Sequence, residues 1–419
     1  MQAQLAGVQA QLQQLTQENR SLRERLAPLE RALAQLNGAL ALPSVTPPTP
    51  AVPRGGAPLS GAVRVWGYGE MYYIDPTREA NQARADLARA VFGLGYSFDE
   101  RTEFNSEYEV EHAVVSGSDP GEFEVEQFYV DRAFSEALGA RAGLFLMPFG
   151  FLNEHHEPTR FYGVQRNFVE TLIIPSTWRE GGFSLHGEGR AGFGWSLGLT
   201  TGFDLSKWDF TPAFPPYTSA LALANSGAAP LQATHQELAL ANAHHLSQYA
   251  ALSYYGVPAL LLGGAISSGE SSTPGDPRVT LWEAHARWMP AKLDLSGLYA
   301  RGSISNTGPA NAAHPGSPNP LPSSFYGYFL QGAYRLWEQG DYQVAPFVRW
   351  ERYNLGASYA GTPGPVLPDF GDWPHSEDRV FTAGANFYVG AHLVLKGDYQ
   401  WFQLNQGFRR FDLGLGVSF

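Results

Sequence analysis

The chain has 419 residues, no cysteine and a formal net charge of −12, with charged residues at only 16% and glycine and aromatics abundant. The cysteine count excludes a disulfide framework, a thiolate metal site and a thiol nucleophile, and the negative balance argues against nucleic acid as a partner. The length suffices for one large domain and an appendage, and no apolar run approaches the roughly 18 residues of a membrane helix.

The N-terminal Met1-Gln2-Ala3-Gln4 has neither a basic region nor an apolar stretch behind it. No signal peptide is visible, and the expectation is that one has been removed. Leu5, Val8, Leu12, Leu15, Asn19, Leu22, Leu26, Leu29, Leu33, Leu36 and Leu40 follow at alternating spacings of three and four. That heptad seam predicts an oligomerising coiled coil over 1–42. Asn19 falls at an a position, as a register specifier or as a tolerated polar residue. Pro28 removes a helix hydrogen bond and predicts a kink nearby. Residues 43–60 are a proline-rich, semi-rigid linker.

From residue 61 onward the period changes to two. In the last segment Phe411, Leu413, Leu415, Val417 and Phe419 share one face, and Arg410, Asp412, Gly414, Gly416 and Ser418 the other. Strands of this kind are predicted near 63–73, 88–98, 101–114, 123–134, 138–147, 181–188, 192–203, 247–256, 258–267, 278–289, 291–301, 324–337, 341–353, 379–389, 391–402 and 408–419. The gaps alternate: a few residues, then mostly long stretches at 148–180, 204–246, 303–323 and 354–378. An even count, short turns at one end, long loops at the other and aromatics such as Tyr328, Trp350, Tyr399, Trp401 and Phe419 near strand ends describe an outer-membrane β-barrel in contact with lipid. A soluble sandwich also alternates but has no reason for this parity. Both termini then lie at the short-turn, periplasmic end, with the coiled coil in the periplasm.

Alternation assigns the inward positions. Acids there include Glu70, Glu103, Glu107, Glu109, Glu111, Glu124, Glu126 and Asp398; bases include Arg64, Arg89, Arg141, Arg287, Arg335, Arg349 and Lys396. Glu103, Glu107, Glu109 and Glu111 recur on one strand face. They form either a cation-attracting ladder or a row neutralised by neighbours such as Arg89 and Arg141.

The segment 148–180, between the fifth and sixth predicted strands and so the third loop at the long-loop end, is too punctuated for one element and too rich in chemistry for a linker. Glu154-His155-His156-Glu157 offers metal-type ligands, but adjacent histidines in an extended segment point apart, so no metal is expected. The expected role of this run is pore lining or an anchor to the barrel wall, and a histidine titrating near pH 6 would make conductance pH-sensitive. Arg160, Arg166 and Arg179 either contact an anionic solute or fasten the loop through Glu154, Glu157, Glu170 or Glu180. Gly194-Trp195-Ser196-Leu197-Gly198 matches G-x-S-x-G but sits within an alternating strand rather than at a strand-to-helix turn. No catalytic set stands on strand ends, so neither enzyme activity nor a cofactor is expected.

The runs Phe145-Leu146-Met147-Pro148-Phe149-Gly150-Phe151-Leu152-Asn153-Glu154-His155-His156-Glu157-Pro158, Phe161-Tyr162-Gly163-Val164-Gln165-Arg166 and Ile173-Ile174-Pro175-Ser176-Thr177-Trp178-Arg179-Glu180-Gly181-Gly182 resemble the phosphate-selective porin O/P family. The resemblance implies a homotrimeric sixteen-stranded barrel, here over 61–419, whose third loop constricts a water-filled channel. Members that select phosphate line the pore with Arg and Lys, whereas the inward set here is acidic. The expected function is therefore passive diffusion of ions and small hydrophilic solutes. The alternatives are a structural tether from the outer membrane to the cell wall through the coiled coil, and an anion- or phosphate-selective channel.

Overall fold

A computed structural model describes residues 61–419 apart from 79–82, 113–120, 136, 190, 212–228, 230, 233, 272, 274, 363–376 and 405. The predicted coiled coil, with its seam from Leu12 to Leu36, and the linker over 43–60 lie outside the described residues.

The described chain is an all-β closed antiparallel barrel of sixteen strands. They are β1 (Val63–Pro76), β2 (Arg84–Asp99), β3 (Thr102–Glu111), β4 (Glu122–Ser135), β5 (Leu138–Leu146), β6 (Arg179–Gly189), β7 (Phe193–Thr200) and β8 (Ser247–Tyr254), followed by the second half. That half comprises β9 (Leu260–Glu270), β10 (Arg278–Trp288), β11 (Leu293–Ile304), β12 (Pro322–Tyr334), β13 (Tyr342–Tyr359), β14 (Glu377–Val389), β15 (Leu393–Phe402) and β16 (Arg410–Ser418). Each strand pairs with its sequence neighbours, and β1 pairs with β16 from Tyr68↔Ser418 to Pro76↔Arg410. Closure leaves no open edge, the condition for a sheet to cross lipid.

Most strand ends shift by up to four residues from the predicted bounds, and two strands differ in more than that. The twelfth breaks after Tyr334 and resumes as Trp337–Gln339, still paired with β13. β13 itself runs to Tyr359 rather than ending at 353, because Asn354 to Tyr359 continue the ladder with weak apolar contrast. Arg335, expected on the lumen wall of a strand, sits in the break and pairs with Glu338 at 3.1 Å.

Period-two burial follows from the two solvents that the sheet separates. Val63, Val65, Met71 and Tyr73 of β1 point out and are exposed, as are Leu413 and Val417 of β16. Comparable apolar side chains stand exposed around the ring, an extent of apolar surface that a soluble protein does not carry. Outward rings meet across neighbouring strands from β10 to β13: Trp282 and Tyr299 at 5.3 Å, Tyr299 and Tyr328 at 6.2 Å, and Tyr328 and Trp350 at 5.5 Å. No helix among the described residues is long and apolar enough to cross a membrane.

The main apolar core lies inside the barrel, on one half of its inner wall. Val279, Leu281, Leu298, Ala300, Phe325, Phe329, Tyr353, Val380 and Phe402 face inward from β10 to β15. They meet Phe149, Phe168, Val169, Leu172, Ile173 and Trp178 from the segment joining β5 to β6.

Candidate functional site

The segment 147–178 enters the barrel and is fastened at three places. Its first fastening is to β1, β2 and β4. The His156 Nδ1–H donates to the Asn153 carbonyl at 3.0 Å, which leaves Nε2 to accept the Tyr68 hydroxyl at 2.6 Å. Glu126 lies 3.2 Å from the same hydroxyl and 3.5 Å from the imidazole. Arg89 donates to the His156 carbonyl at 2.6 Å and to Glu70 at 2.7 Å. Burial first, and then the guanidiniums of Arg166 and Arg89, pushes the His156 imidazole down to about 3. It stays neutral at physiological pH, so the pH sensor expected of this residue is not here.

The second fastening spans β10 to β15 and consists mostly of side chains that grip loop backbone. The Val164 amide donates to Asp398 at 2.6 Å, the Gly163 amide to Asn386 at 3.2 Å and the Phe168 amide to Glu351 at 2.8 Å. Arg349 donates to the Tyr162 carbonyl at 3.2 Å and pairs with Glu351 at 3.1 Å. The Tyr162 hydroxyl donates to Asp294 at 3.1 Å, which Arg287 holds at 2.6 Å. Lys396 lies 3.4 Å from the Phe161 ring centroid. Gly163 has φ +86°, and a Cβ there would stand 3.1 Å from Phe347 and 3.2 Å from Asp398. Only glycine takes that backbone shape at no steric cost.

The third fastening is apolar. Val169–Ile173 forms a single π-helical turn whose residues are all buried against the wall. Each large apolar side chain seated there contributes about 1.5–3 kcal/mol, an upper figure because an unseated loop still buries part of its surface. Glu170 belongs to this inner fold. It accepts from the Phe151 and Leu152 amides at 2.5 and 2.9 Å and from Asn167 at 2.6 Å. Burial raises its pKa against these donors. Glu180 accepts from Trp178 Nε1 at 3.1 Å and from Thr201 at 2.5 Å. Both carboxylates are almost fully buried among these donors.

The remaining loop residues sort differently. Arg160 is mostly exposed, 3.9 Å from Glu157. Arg166 donates to the Ser176 and Thr177 hydroxyls at 2.5 and 2.9 Å. Arg179 pairs with Glu124 and, at 3.1 Å, with Glu237. Glu154 is half-buried, and burial lifts its pKa to about 7 against the pull of Arg141. Burial also lowers the pKa of His155. No group of acids and histidines among the described residues is arranged to hold a metal ion.

Between the loop and β1–β4 lies a cavity of about 320 Å³. Six carboxylates line it, from Glu70, Glu109, Glu111, Glu122, Glu124 and Glu237, against the three guanidiniums of Arg89, Arg166 and Arg179. A smaller cavity of about 110 Å³ lies toward the short turns, bordered by Arg141, Glu154, His186 and Tyr249. The predicted wall residues inside the barrel thus fall into three groups: cavity-lining, loop-bound and paired with one another along the wall. Arg89, Glu109, Glu111 and Glu124 border the larger cavity and Arg141 the smaller. Glu126, Arg287, Arg349, Lys396 and Asp398 are taken up by the loop. Glu103 pairs with Arg64 at 3.0 Å, and Glu107 accepts from Trp66 Nε1 at 2.7 Å and from Gln127. Ser196 exchanges hydrogen bonds with Ser184 and Tyr249, at 3.2 and 3.0 Å, while His186, opposite it on β6, lies 3.4 Å from Asp131. Glu122 and Glu237 were not among the predicted wall residues. Glu122 opens β4 next to the alternating Glu124 and Glu126, so extending that period by one step finds it; nothing local marks Glu237.

No family model matches the chain. It is 29% identical over 351 residues to an uncharacterised protein of Aquifex aeolicus, covering 80% of this chain and 75% of that one. Among solved structures it is similar to the Salmonella typhi OmpF complex with daunomycin, with TM-score 0.53, 12% identity and coverage of 86% and 98% of the two chains. It is also similar to an anion-selective porin from Comamonas acidovorans, with TM-score 0.51, 12% identity and coverage of 86% and 100%. At these identities the likeness establishes the fold, and the described chain has the barrel fold of bacterial outer-membrane porins.

Proposed function

We propose that the protein is an outer-membrane channel for passive diffusion of ions and small hydrophilic solutes, narrowed by the segment 148–180. The supporting observation is the division of the barrel interior. The loop fills the apolar half, and a polar cavity with net acidic lining remains along β1–β4. Fixed charge in a narrow aqueous path sets ion preference, so the channel favours cations. No covalent chemistry enters this reading.

Purified protein in planar bilayers should give stepwise conductance. Steps in groups of three would support the trimer that the porin O/P resemblance implies, and an electrically silent protein would refute the channel. An anion- or phosphate-selective path would need its guanidiniums free. Two of the three in the cavity already hold carboxylates. The tether reading rests on residues 1–60, and deleting them tests it: lost envelope cohesion at unchanged permeability would favour a tether.

A further inference from the structure

The outward face of the barrel is not uniform. On β7 its residues toward the long loops are Leu197 and Leu199, both exposed. On β11, β13 and β14 the same reach carries arginine. Arg301 follows the outward Tyr299 by two residues, Arg352 follows the outward Trp350 by two, and Arg379 precedes the outward Phe381 by two. Period two therefore places all three side chains outside the barrel. Register sets Arg352 opposite Arg379, and Arg301 opposite Tyr326 on β12. The Arg352 guanidinium lies 5.8 Å from the Tyr326 ring centroid, so this tyrosine stands between Arg301 and Arg352. Like charges directly across a ladder destabilise it unless a counter-charge intervenes. Glu377 pairs with Arg352. Among the described residues no ion pair reaches Arg301 or Arg379, and both are exposed.

These arginines lie among the exposed rings of Trp282, Trp350, Phe381 and Trp401. Aromatics of a barrel girdle sit at head-group depth, so three guanidiniums with one carboxylate face the head groups there. Arginine grips a phosphate through two parallel N–H bonds. Toward the short turns the same strands and β12 expose Leu295, Leu330 and Val348, an apolar surface for acyl chains. We propose that the outward face of β11–β14 seats a lipid carrying two phosphates. Arg352 and Arg379 share one phosphate. Arg301, two strands away and on the order of 10 Å off, takes the second. The apolar surface beside the arginines is what favours a lipid over a soluble anion. The proposal stands on the barrel and its outer face, not on conduction, and so goes beyond the channel reading.

The test uses the full chain in detergent. Cardiolipin, which carries two phosphates, is the probe, and zwitterionic phosphatidylcholine is the comparison. Native mass spectrometry should show cardiolipin retained in preference to phosphatidylcholine. The triple variant Arg301→Gln/Arg352→Gln/Arg379→Gln should lose that preference by a factor on the order of a hundred. Arg301→Lys/Arg352→Lys/Arg379→Lys keeps the charges without the planar fork and should hold an intermediate preference. Equal retention of the two lipids by the native protein overturns the proposal, whether or not the variants fold. Displacement of cardiolipin by inorganic phosphate at equal concentration also overturns it, as the mark of a soluble-anion site. So does a changed subunit number in the glutamine variant at unchanged lipid preference, the mark of a contact between copies. An electrically silent protein that still prefers cardiolipin would sink the channel and leave the lipid site standing.

Discussion

The two halves of the barrel's inner wall solve the same problem in opposite ways. Along β10–β15 the wall is apolar toward the long-loop end, and the loop seals it with Phe168, Val169, Leu172 and Ile173. Along β1–β4 the wall is acidic and the loop stands off, leaving the cavity. An apolar wall left wet would cost burial free energy. An acidic wall left dry would cost far more, since unpaired carboxylates do not leave water cheaply. The sequence of the wall therefore decides on which side the loop packs and on which side a cavity stays open.

The strongest way to break this contrast is to change the loop side chains that seal the apolar wall. Leu172→Arg puts a charge into the apolar seat at a cost of several kcal/mol. The loop should leave the wall and the single-channel step should grow; an unchanged step would show that the seat does not hold the loop. Phe168→Ala keeps the seat apolar but empties it, at about 3–5 kcal/mol. Hydrogen exchange of the amides from Phe168 to Ile174 should accelerate while the β1–β4 amides keep their protection.

How much of this was legible in the sequence follows the same division. Where one face meets lipid and the other water, as in β16, alternation gave the strand, its register and its outward residues. β11 is different. Leu293 and Leu295 continue one face while Leu298, Ala300 and Ile304 lie on the other. Apolar residues on both faces mark a strand buried on both sides, and that loss of contrast was the available sign of the apolar inner wall. The loop's chemistry was read less well. His156, Glu170 and Glu180 have the composition of a site, but their burial depends on Tyr68, the Phe151 amide and Thr201. Local pattern carries no information on contacts 19 to 88 residues away.

Smaller changes sharpen the picture. Tyr162→Phe removes the hydroxyl bond to Asp294 and leaves that carboxylate with Arg287. A loss of about 1 kcal/mol is expected, seen as a modest rise in loop exchange with no change of ion preference. The smallest effect is electrostatic. Glu154 is neutral below about pH 7 and charged above it, and it borders the cavity on the short-turn side. Cation preference should fall as pH drops from 8 to 6, and Glu154→Gln should flatten that dependence. A profile that Glu154→Gln leaves unchanged would assign the titration elsewhere.

The central claim is that the acidic half of the wall is the conducting one. The zero-current potential of the purified channel under a potassium chloride gradient tests it most directly. The account predicts the sign of cation preference, reduced in Glu111→Gln/Glu122→Gln. A potential of anion-selective sign, or one indifferent to those two substitutions, would contradict it.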